Sequence, residues 1–373
     1  MSNLIEGKYR QLVSVVLLGC LATAVAIGGT WRREPRMPVP MLASDHNRLD
    51  SDNCRDCHSE IVDGFDSAPH QVTLRRPGES SLWERFVDRE LETPLGSFRF
   101  TWDDGQLRMH GDRLPQPVTV DWVFGSGQHA LTPVAIRQTV VGDLEANQLH
   151  VSWFANDTLG LTPGSESVAT DPPSAGIVHD HQQAAECFAC HSSYLPQVGD
   201  QIDLTDFRPG VSCVRCHPGG RDHADSDGAI ATLTPWHELT PLESIRRCGE
   251  CHRRADQMTA DEITVDRANE LARFAPVGLV QSRCFTESLS DVDGTPLRMD
   301  CVTCHDPHRP ARRDPTHYND RCNDCHGDAA TPASACSVSS SPSNCVACHM
   351  PQVSAADQDH LRFTDHWIRI PRQ

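Results

Sequence analysis

The pentapeptide C-x-x-C-H occurs seven times in this chain of 373 residues. From the cysteine and histidine content, random placement would give roughly 0.04 copies, so the repeat has a chemical cause. The two thiols of each copy are spaced to add to the two vinyl groups of one porphyrin. The histidine that follows them then binds the iron as its proximal ligand. The residues assigned in this way are Cys54, Cys57, His58, Cys187, Cys190, His191, Cys213, Cys216, His217, Cys248, Cys251, His252, Cys301, Cys304, His305, Cys322, Cys325, His326, Cys345, Cys348 and His349.

Other uses of paired cysteines fit the sequence less well. A zinc ribbon needs four ligands and no histidine at a fixed fifth position. Iron–sulfur clusters also use runs of cysteine, but with other spacings and without the adjacent histidine. A thioredoxin-like redox pair would occur once, beside a strand and a helix. The sequence therefore predicts seven covalently bound haem c groups as the cofactors.

The polypeptide has little apolar material with which to build a core. Only 38% of its residues are hydrophobic and 6% are aromatic, although the length allows two domains. Porphyrin faces are large apolar surfaces and would take the place of missing Phe and Leu side chains in the interior. We therefore expect the chain without haem to fold poorly, because haem binding carries part of the folding free energy.

The chain is strongly acidic, with a formal net charge of −18. This charge argues against nucleic acid as a partner, since phosphates repel an acidic surface. It favours redox partner proteins with a basic docking surface. The alternative is that the charge only keeps the protein soluble.

Residues 1–31 predict a targeting segment rather than a part of the fold. Lys8 and Arg10 precede an apolar run that reaches about Trp31. Cleavage near residues 24–26 would release a soluble protein, whereas the uncleaved run is long enough to anchor the chain in a membrane. Lipid attachment at Cys20 is a third option, which the apolar residues after this cysteine disfavour. In each case the remaining chain is exported, and is either periplasmic or membrane-anchored and facing outward.

The motifs divide the rest of the chain unevenly. Residues 32–49 are polar and Pro-rich, which is typical of a tether. Residues 50–177 carry the first motif, and the stretch 95–160 alternates polar and apolar residues as strands do. The turn residues 103–105, Asp-Asp-Gly, indicate a hairpin there, so we expect a small antiparallel β insert. Residues 178–373 hold the other six motifs and predict a six-haem cytochrome domain.

The ligand on the second face of each iron decides what that iron can do. A second histidine makes the site an electron relay, whereas an open position lets the iron bind and convert a small molecule. Twenty histidines less the seven of the motifs leave thirteen, which is enough for every iron. No C-x-x-C-K variant is present, which weakens the case for an enzyme. The candidates for the sixth position are His70, His129, His179, His223, His237, His308 and His366.

Several segments resemble the multihaem c-type cytochromes with doubled C-x-x-C-H motifs, a group that includes the nitrifier-type tetrahaem cytochromes. They include GVSCVRCHPGGRDHA from Gly210, CVTCHDPH from Cys301, NCVACHMP from Asn344, FTDHWIR from Phe363 and FGSGQHALTP from Phe124. The resemblance implies haems in parallel-stacked and perpendicular pairs, mostly with bis-histidine ligation. By motif match it makes His308, His223, His366 and His129 ligand candidates. This chain departs from the tetrahaem pattern in its seven motifs and its β insert. The resemblance also bears on the spare cysteines Cys284 and Cys336, for which we predict a disulfide.

We therefore expect a mainly α-helical or irregular multihaem cytochrome c fold, organised around stacked haems, with a small antiparallel β insert. The favoured function is that of an exported heptahaem cytochrome, which carries electrons between redox partners through mostly bis-histidine haems. No residue is then catalytic. The alternative is a multihaem oxidoreductase that acts on a small nitrogen or sulfur compound, of the nitrite or hydroxylamine type, at one haem with open coordination. Spectra with only low-spin, six-coordinate haem would argue against the enzyme.

Overall fold

Strands fill the first half of the chain and short helices fill the second in the computed structural model. The structure describes residues 48–139, 143–168, 173–199, 201–230, 233–289, 298–326, 344–355 and 358–370. All of them belong to one unit, Met37–Gln373. The predicted targeting segment, nearly all of the predicted tether and Cys336 lie outside the described residues. No helix within the described residues is long and apolar enough to cross a membrane.

A four-stranded antiparallel sheet contains the predicted hairpin. Its strands lie in chain order and are β2 (Glu90–Thr93), β3 (Gly96–Asp103), β4 (Gln106–Gly111) and β5 (Val118–Thr119). The turn between β3 and β4 has positive φ at Asp104 (51°) and at Gly105 (74°). Positive φ at both central residues is the backbone that matches strand twist in a two-residue hairpin. The hairpin predicted at residues 103–105 is confirmed.

A seven-stranded antiparallel sheet lies beside it. Its strands are β1 (Leu74–Arg75), β6 (Trp122–Phe124), β7 (Ala130–Gln138), β8 (Leu144–Leu149), β9 (Val151–Phe154), β10 (Thr158–Leu161) and β11 (Gly176–His179). The sheet order is β1-β6-β7-β8-β11, and β10 pairs with β9. Strand β7 pairs with β6 and β8, and β9 also pairs with β7.

The β structure is larger than predicted. Strands run from residue 74 to residue 179 rather than from 95 to 160, and β11 pairs with β8 across the predicted domain boundary at residues 177 and 178. The fold is therefore mixed, with several antiparallel sheets where a small β insert was expected. Strands of two to four residues carry too little alternation to be recognised from sequence. The domain boundary itself stays a prediction.

The two sheets pack on each other, and a helix covers the outer face of the larger one. Val123 belongs to the apolar cluster between the sheets, together with Phe100 and Leu107. Its neighbour Trp122 points the other way and packs with Phe188 of helix His181–Cys190. Successive residues of a strand face opposite sides of the sheet, which places these two side chains in different layers. The larger sheet thereby positions the helix that carries the second motif.

The second half is built from short helices with little apolar packing between them. Its buried cluster is small and centres on Ile245, Leu279 and Phe285. Two-stranded sheets are formed by β12 (Ser192–Tyr194) with β15 (Arg208–Pro209), β13 (Gln197–Val198) with β14 (Gln201–Ile202), and β16 (Gln352–Ala355) with β17 (Gln358–Thr364). The α-helices are Asp52–Phe65, His181–Cys190, Cys213–Cys216, Gly220–Asp225, Pro241–His252, Ala268–Leu271, Ala275–Val280, Arg283–Ser288, Cys301–Cys304, Pro315–His326 and Cys345–His349.

We expect the full chain made without haem to keep its two large sheets and to lose order in the helical half. The sheets have an apolar core of their own, whereas helices of this length do not persist in water without packing partners. Hydrogen exchange followed by mass spectrometry would show amides of β3 and β4 protected at least about tenfold more than amides of helix Pro241–His252. Equal protection of both halves in the haem-free chain would contradict this expectation.

Candidate functional site

One large cleft is lined by residues of all seven C-x-x-C-H motifs, here called sites 1 to 7 in chain order. Its volume is about 4820 Å³, and all seven motif histidines contribute to its wall. A pocket for one small ligand or cofactor has about 300–1,000 Å³. Shared among seven groups, the cleft offers about 700 Å³ to each, inside that range. The thiols and histidines on its wall are the groups that haem c requires, so the residues present fit this cofactor.

Short helices present the motif cysteines, with the exception of Cys187, to the cleft. Residues three apart share one face of a helix, so the two cysteines of a motif point the same way. Capping side chains start these helices. The Asp300 carboxylate accepts a hydrogen bond from the backbone N–H of Thr303 ahead of helix Cys301–Cys304. The Asn344 side chain accepts one from Ala347 in the same way. Such a cap is worth about 1 kcal/mol.

Four motif histidines face a second histidine across the cleft. A nitrogen–metal bond to histidine is about 2 Å long and the ring centre lies about 1 Å further, so two imidazoles on one iron have centroids about 6 Å apart. Four of the predicted distal candidates lie at this separation from a motif histidine, so an iron would fit between the two rings of each pair. The centroid separations are 6.4 Å for His58 and His223, 6.1 Å for His70 and His252, 6.2 Å for His217 and His308, and 6.1 Å for His305 and His366.

Each of these pairs joins segments that are distant in the sequence. His223 follows motif 3 but faces the histidine of site 1. His308 follows motif 5 but faces site 3. His70 follows motif 1 but faces site 4, and His366 near the C-terminus faces site 5. A distal histidine is therefore not opposite the motif that is nearest to it in sequence.

Hydrogen bonds to backbone carbonyls select which ring nitrogen is free. His366 Nδ1 donates to the carbonyl of Thr364 at 2.9 Å. His191 Nδ1 donates to the carbonyl of Thr73 at 3.0 Å. Since a carbonyl only accepts, the proton is on Nδ1 and the Nε2 lone pair is left for a metal.

Burial favours the neutral form of His252 and His305 in the cleft. Burial, and to a smaller extent the nearby His70, lowers the pKa of His252 to about 4. Burial, followed by the effect of His366, lowers the pKa of His305 to about 4. Neutral imidazole is the form that binds metal, so these rings are ready for ligation at physiological pH.

The other three distal candidates do not face a motif histidine. His129 lines the cleft, with its ring centroid 4.5 Å from that of Phe363. His179 Nε2 is hydrogen-bonded to Gln148 Oε1 at 2.9 Å, on the neighbouring strand β8. Neither His179 nor His237 is among the residues that line the cleft. The structure therefore does not bring these two candidates to the motifs.

Three motif histidines meet no second imidazole at this separation within the described residues. They are His191, His326 and His349, at sites 2, 6 and 7. The unpaired histidines of the cleft wall are His129 and His317. The described cleft wall thus offers two further histidines to the motif histidines of these three sites. His317 lies on the same helix as motif 6, about one and a half turns before Cys322. That spacing is the sequence feature that indicates His317 as a candidate ligand.

Cysteine contacts fix the order of the sites along the cleft. Thiols of different sites lie close enough to shift each other's pKa, which places site 1 beside site 3, site 2 beside site 4, site 4 beside site 5 and site 6 beside site 7. The thiol pairs are Cys54 with Cys213, Cys190 with Cys251, Cys248 with Cys301, and Cys322 with Cys345.

Backbone contacts close the gaps in this order. Arg247, on the helix of motif 4, donates to the carbonyl of Cys216 in motif 3 at 3.3 Å. His317, on the helix of motif 6, donates through Nε2 to the carbonyl of Cys304 in motif 5 at 3.4 Å. The sites therefore form a line in the order 1, 3, 4, 5, 6 and 7, and site 2 lies beside site 4.

The spare cysteine Cys284 also lines the cleft. It lies on helix Arg283–Ser288, and burial raises the pKa of its thiol. Its predicted partner Cys336 lies outside the described residues, so the disulfide stays a prediction.

No protein-family model matches the sequence, and no curated protein matches it either. Two solved structures are similar. The outer cell wall cytochrome OcwA has 13% identity and a TM-score of 0.49, over 86% of this chain and 79% of that chain. The undecahaem cytochrome from the S-layer of Carboxydothermus ferrireducens has 14% identity and a TM-score of 0.44, over 87% of this chain and 52% of that chain. This chain thus spans about half of the second structure, and similarity at this level carries no argument about fold or function.

Replacement of His223 by alanine tests the pairing with His58. The iron of site 1 then loses one axial ligand, so we expect one haem in seven to change from low spin to high spin in absorbance and electron paramagnetic resonance spectra. Added imidazole should restore the low-spin signal. His179→Ala is the matched control and should leave every spin state unchanged, because its ring is held by Gln148 away from the cleft. An unchanged spectrum for His223→Ala would contradict the pairing.

Proposed function

We propose that this protein is an exported cytochrome with seven haem c groups, which relays electrons between redox partners. The observation that carries the proposal is the continuous line of motifs around one cleft. Thiol contacts join successive sites, so porphyrins attached there would have neighbouring edges. Neighbouring edges are what a relay needs, because electrons pass between cofactors only over short distances.

Haem iron supplies reversible one-electron oxidation and reduction, and the polypeptide tunes it through axial ligands, burial and nearby charge. At sites 1, 3, 4 and 5 a histidine lies on each side of the expected iron position. Two histidines exclude substrate and water from the metal. These four sites support a relay rather than a reaction with a small molecule.

The partners proposed are redox proteins with a basic docking surface. The chain carries a net charge of −18, and the helix of site 1, at one end of the line, exposes Asp52 and Glu60 with 82% and 93% of their side chains accessible. Long-range attraction between opposite charges speeds the encounter of redox partners and weakens as salt is added. An exported location follows from residues 1–31, because c-type haem is attached after export.

Loss of an internal site should interrupt the relay, whereas loss of a terminal site should only shorten it. Cys213→Ala with Cys216→Ala removes site 3, and Cys345→Ala with Cys348→Ala removes site 7 as the matched control. A photoreduced flavin delivers one electron per molecule, and absorbance follows its redistribution among the haems. We expect redistribution to slow at least about tenfold without site 3 and to stay within about twofold without site 7.

Both variants should contain six haems and the same far-ultraviolet circular dichroism as the parent. Equal redistribution rates in the two variants would contradict the order of sites proposed here.

A second candidate function is the conversion of a small nitrogen or sulfur compound at an iron with open coordination. The observation that favours it is the shortage of histidines at sites 2, 6 and 7, for which the described cleft wall holds two unpaired histidines, His129 and His317. An open iron is high-spin and binds cyanide or nitrite. If the parent protein binds either ligand and turns over nitrite or hydroxylamine, the protein is an enzyme and the proposal of a pure electron relay is wrong.

A further inference from the structure

The wall of the cleft is basic although the chain as a whole is acidic. Eleven arginines and six acidic residues line the cleft, in a chain of net charge −18. Every cationic side chain after Lys8 is an arginine. A guanidinium stays charged at all physiological pH values and binds a carboxylate through two parallel hydrogen bonds, which a lysine cannot do. The wall is therefore suited to carboxylate ligands.

Several of these arginines already have a carboxylate of the chain as partner. Arg298 pairs with Asp300 at 2.5 Å, and Arg283 pairs with Glu287 at 3.5 Å. Arg273 differs, because it lines the cleft and makes no ion pair with a described residue. The carboxylate of Glu270, close to it in sequence, is engaged by Arg267 at 2.7 Å.

Arg273 shares its surroundings with a second cation. Its guanidinium carbon lies 4.6 Å from the ring centroid of Phe274, and that of Arg253 lies 5.1 Å from the same centroid. Burial, with a further contribution from Arg253, lowers the pKa of Arg273. Two like charges near one apolar ring repel each other, and an anion between them would remove the repulsion.

The arginine pair lies next to site 4. Arg253 directly follows the motif histidine His252, at the end of helix Pro241–His252. Its φ of 70° is unfavourable for a residue with a side chain, so the surrounding structure holds this arginine in a costly backbone conformation. Such outliers cluster where a side chain has to be aimed at a ligand.

We propose that Arg273, with Arg253 beside the same aromatic ring, binds a carboxylate that is supplied by a propionate side chain of a porphyrin in the cleft. The inference rests on the proposed attachment of haem and adds the residues that hold its charged edge. The pair is a positioning device. It orients the porphyrin and keeps the propionate ionised close to the iron.

The test is a redox titration of the whole protein at several pH values, for the parent, Arg273→Gln and Arg253→Gln. Without a guanidinium the uncompensated propionate stabilises ferric iron, so one of the seven redox steps shifts to lower potential. The same propionate then takes up its proton at a higher pH. The shifted step therefore gains a pH dependence that the parent lacks.

Arg283→Gln is the matched control, because this arginine lines the same cleft but is paired with Glu287. It should create no new pH-dependent step. If seven haems are present and neither Arg273→Gln nor Arg253→Gln creates one, the proposed carboxylate contact is refuted. Fewer than seven haems in the parent would instead refute the cofactor assignment on which it rests.

Titration of the parent with acetate at pH 7 separates two sources of the carboxylate. A propionate is part of the porphyrin and acetate cannot displace it, so the potential of each redox step should stay unchanged. A step that moves with acetate in the parent but not in Arg273→Gln would assign the pair to an exchangeable carboxylate from solution and overturn the propionate assignment.

Discussion

The helical half of this protein depends on pairs of histidines that do not touch each other. Imidazole centroids about 6 Å apart leave a space that an iron fills. Helices of four to twelve residues, with a buried cluster as small as Ile245, Leu279 and Phe285, cannot hold such an arrangement by packing alone. In the proposed haem protein, metal ligation would supply the folding free energy that a hydrophobic core supplies elsewhere. The β half is different, because its two sheets bury Phe100, Leu107 and their neighbours against each other.

The distribution of charge differs between the wall of the cleft and the outer surface. Arginines line the cleft, whereas the surface helix of site 1 exposes carboxylates. Cations near an iron favour its ferrous form and anions favour its ferric form. Wall and surface therefore act in opposite directions on the potentials, and the wall acts more strongly because water screens it less.

How much could be predicted from the sequence depended on the range of the interaction. The motifs and the hairpin at Asp104 and Gly105 are local, and spacing alone identifies them. Pairings such as His70 with His252 are not local, so proximity to a motif pointed to histidines of the cleft without indicating which motif histidine each one faces. His179 shows the limit of proximity. It lies close to motif 2 in sequence, but it belongs to a strand whose neighbour supplies Gln148 as its hydrogen-bond partner. The arginines of the wall carry no local pattern at all.

The long reach of the histidine pairs has a consequence for how the protein is made. A chain that is exported from its N-terminus presents site 1 well before His223, site 3 before His308, and site 5 before His366 near the end of the chain. At each of these sites the haem would be attached first, and the second axial histidine would bind only when a later segment of the chain arrives. Site 4 is the exception, since His70 has already emerged when motif 4 does. Maturation would thus pass through a series of half-ligated states, in which site 5 waits for a histidine 61 residues further along the chain.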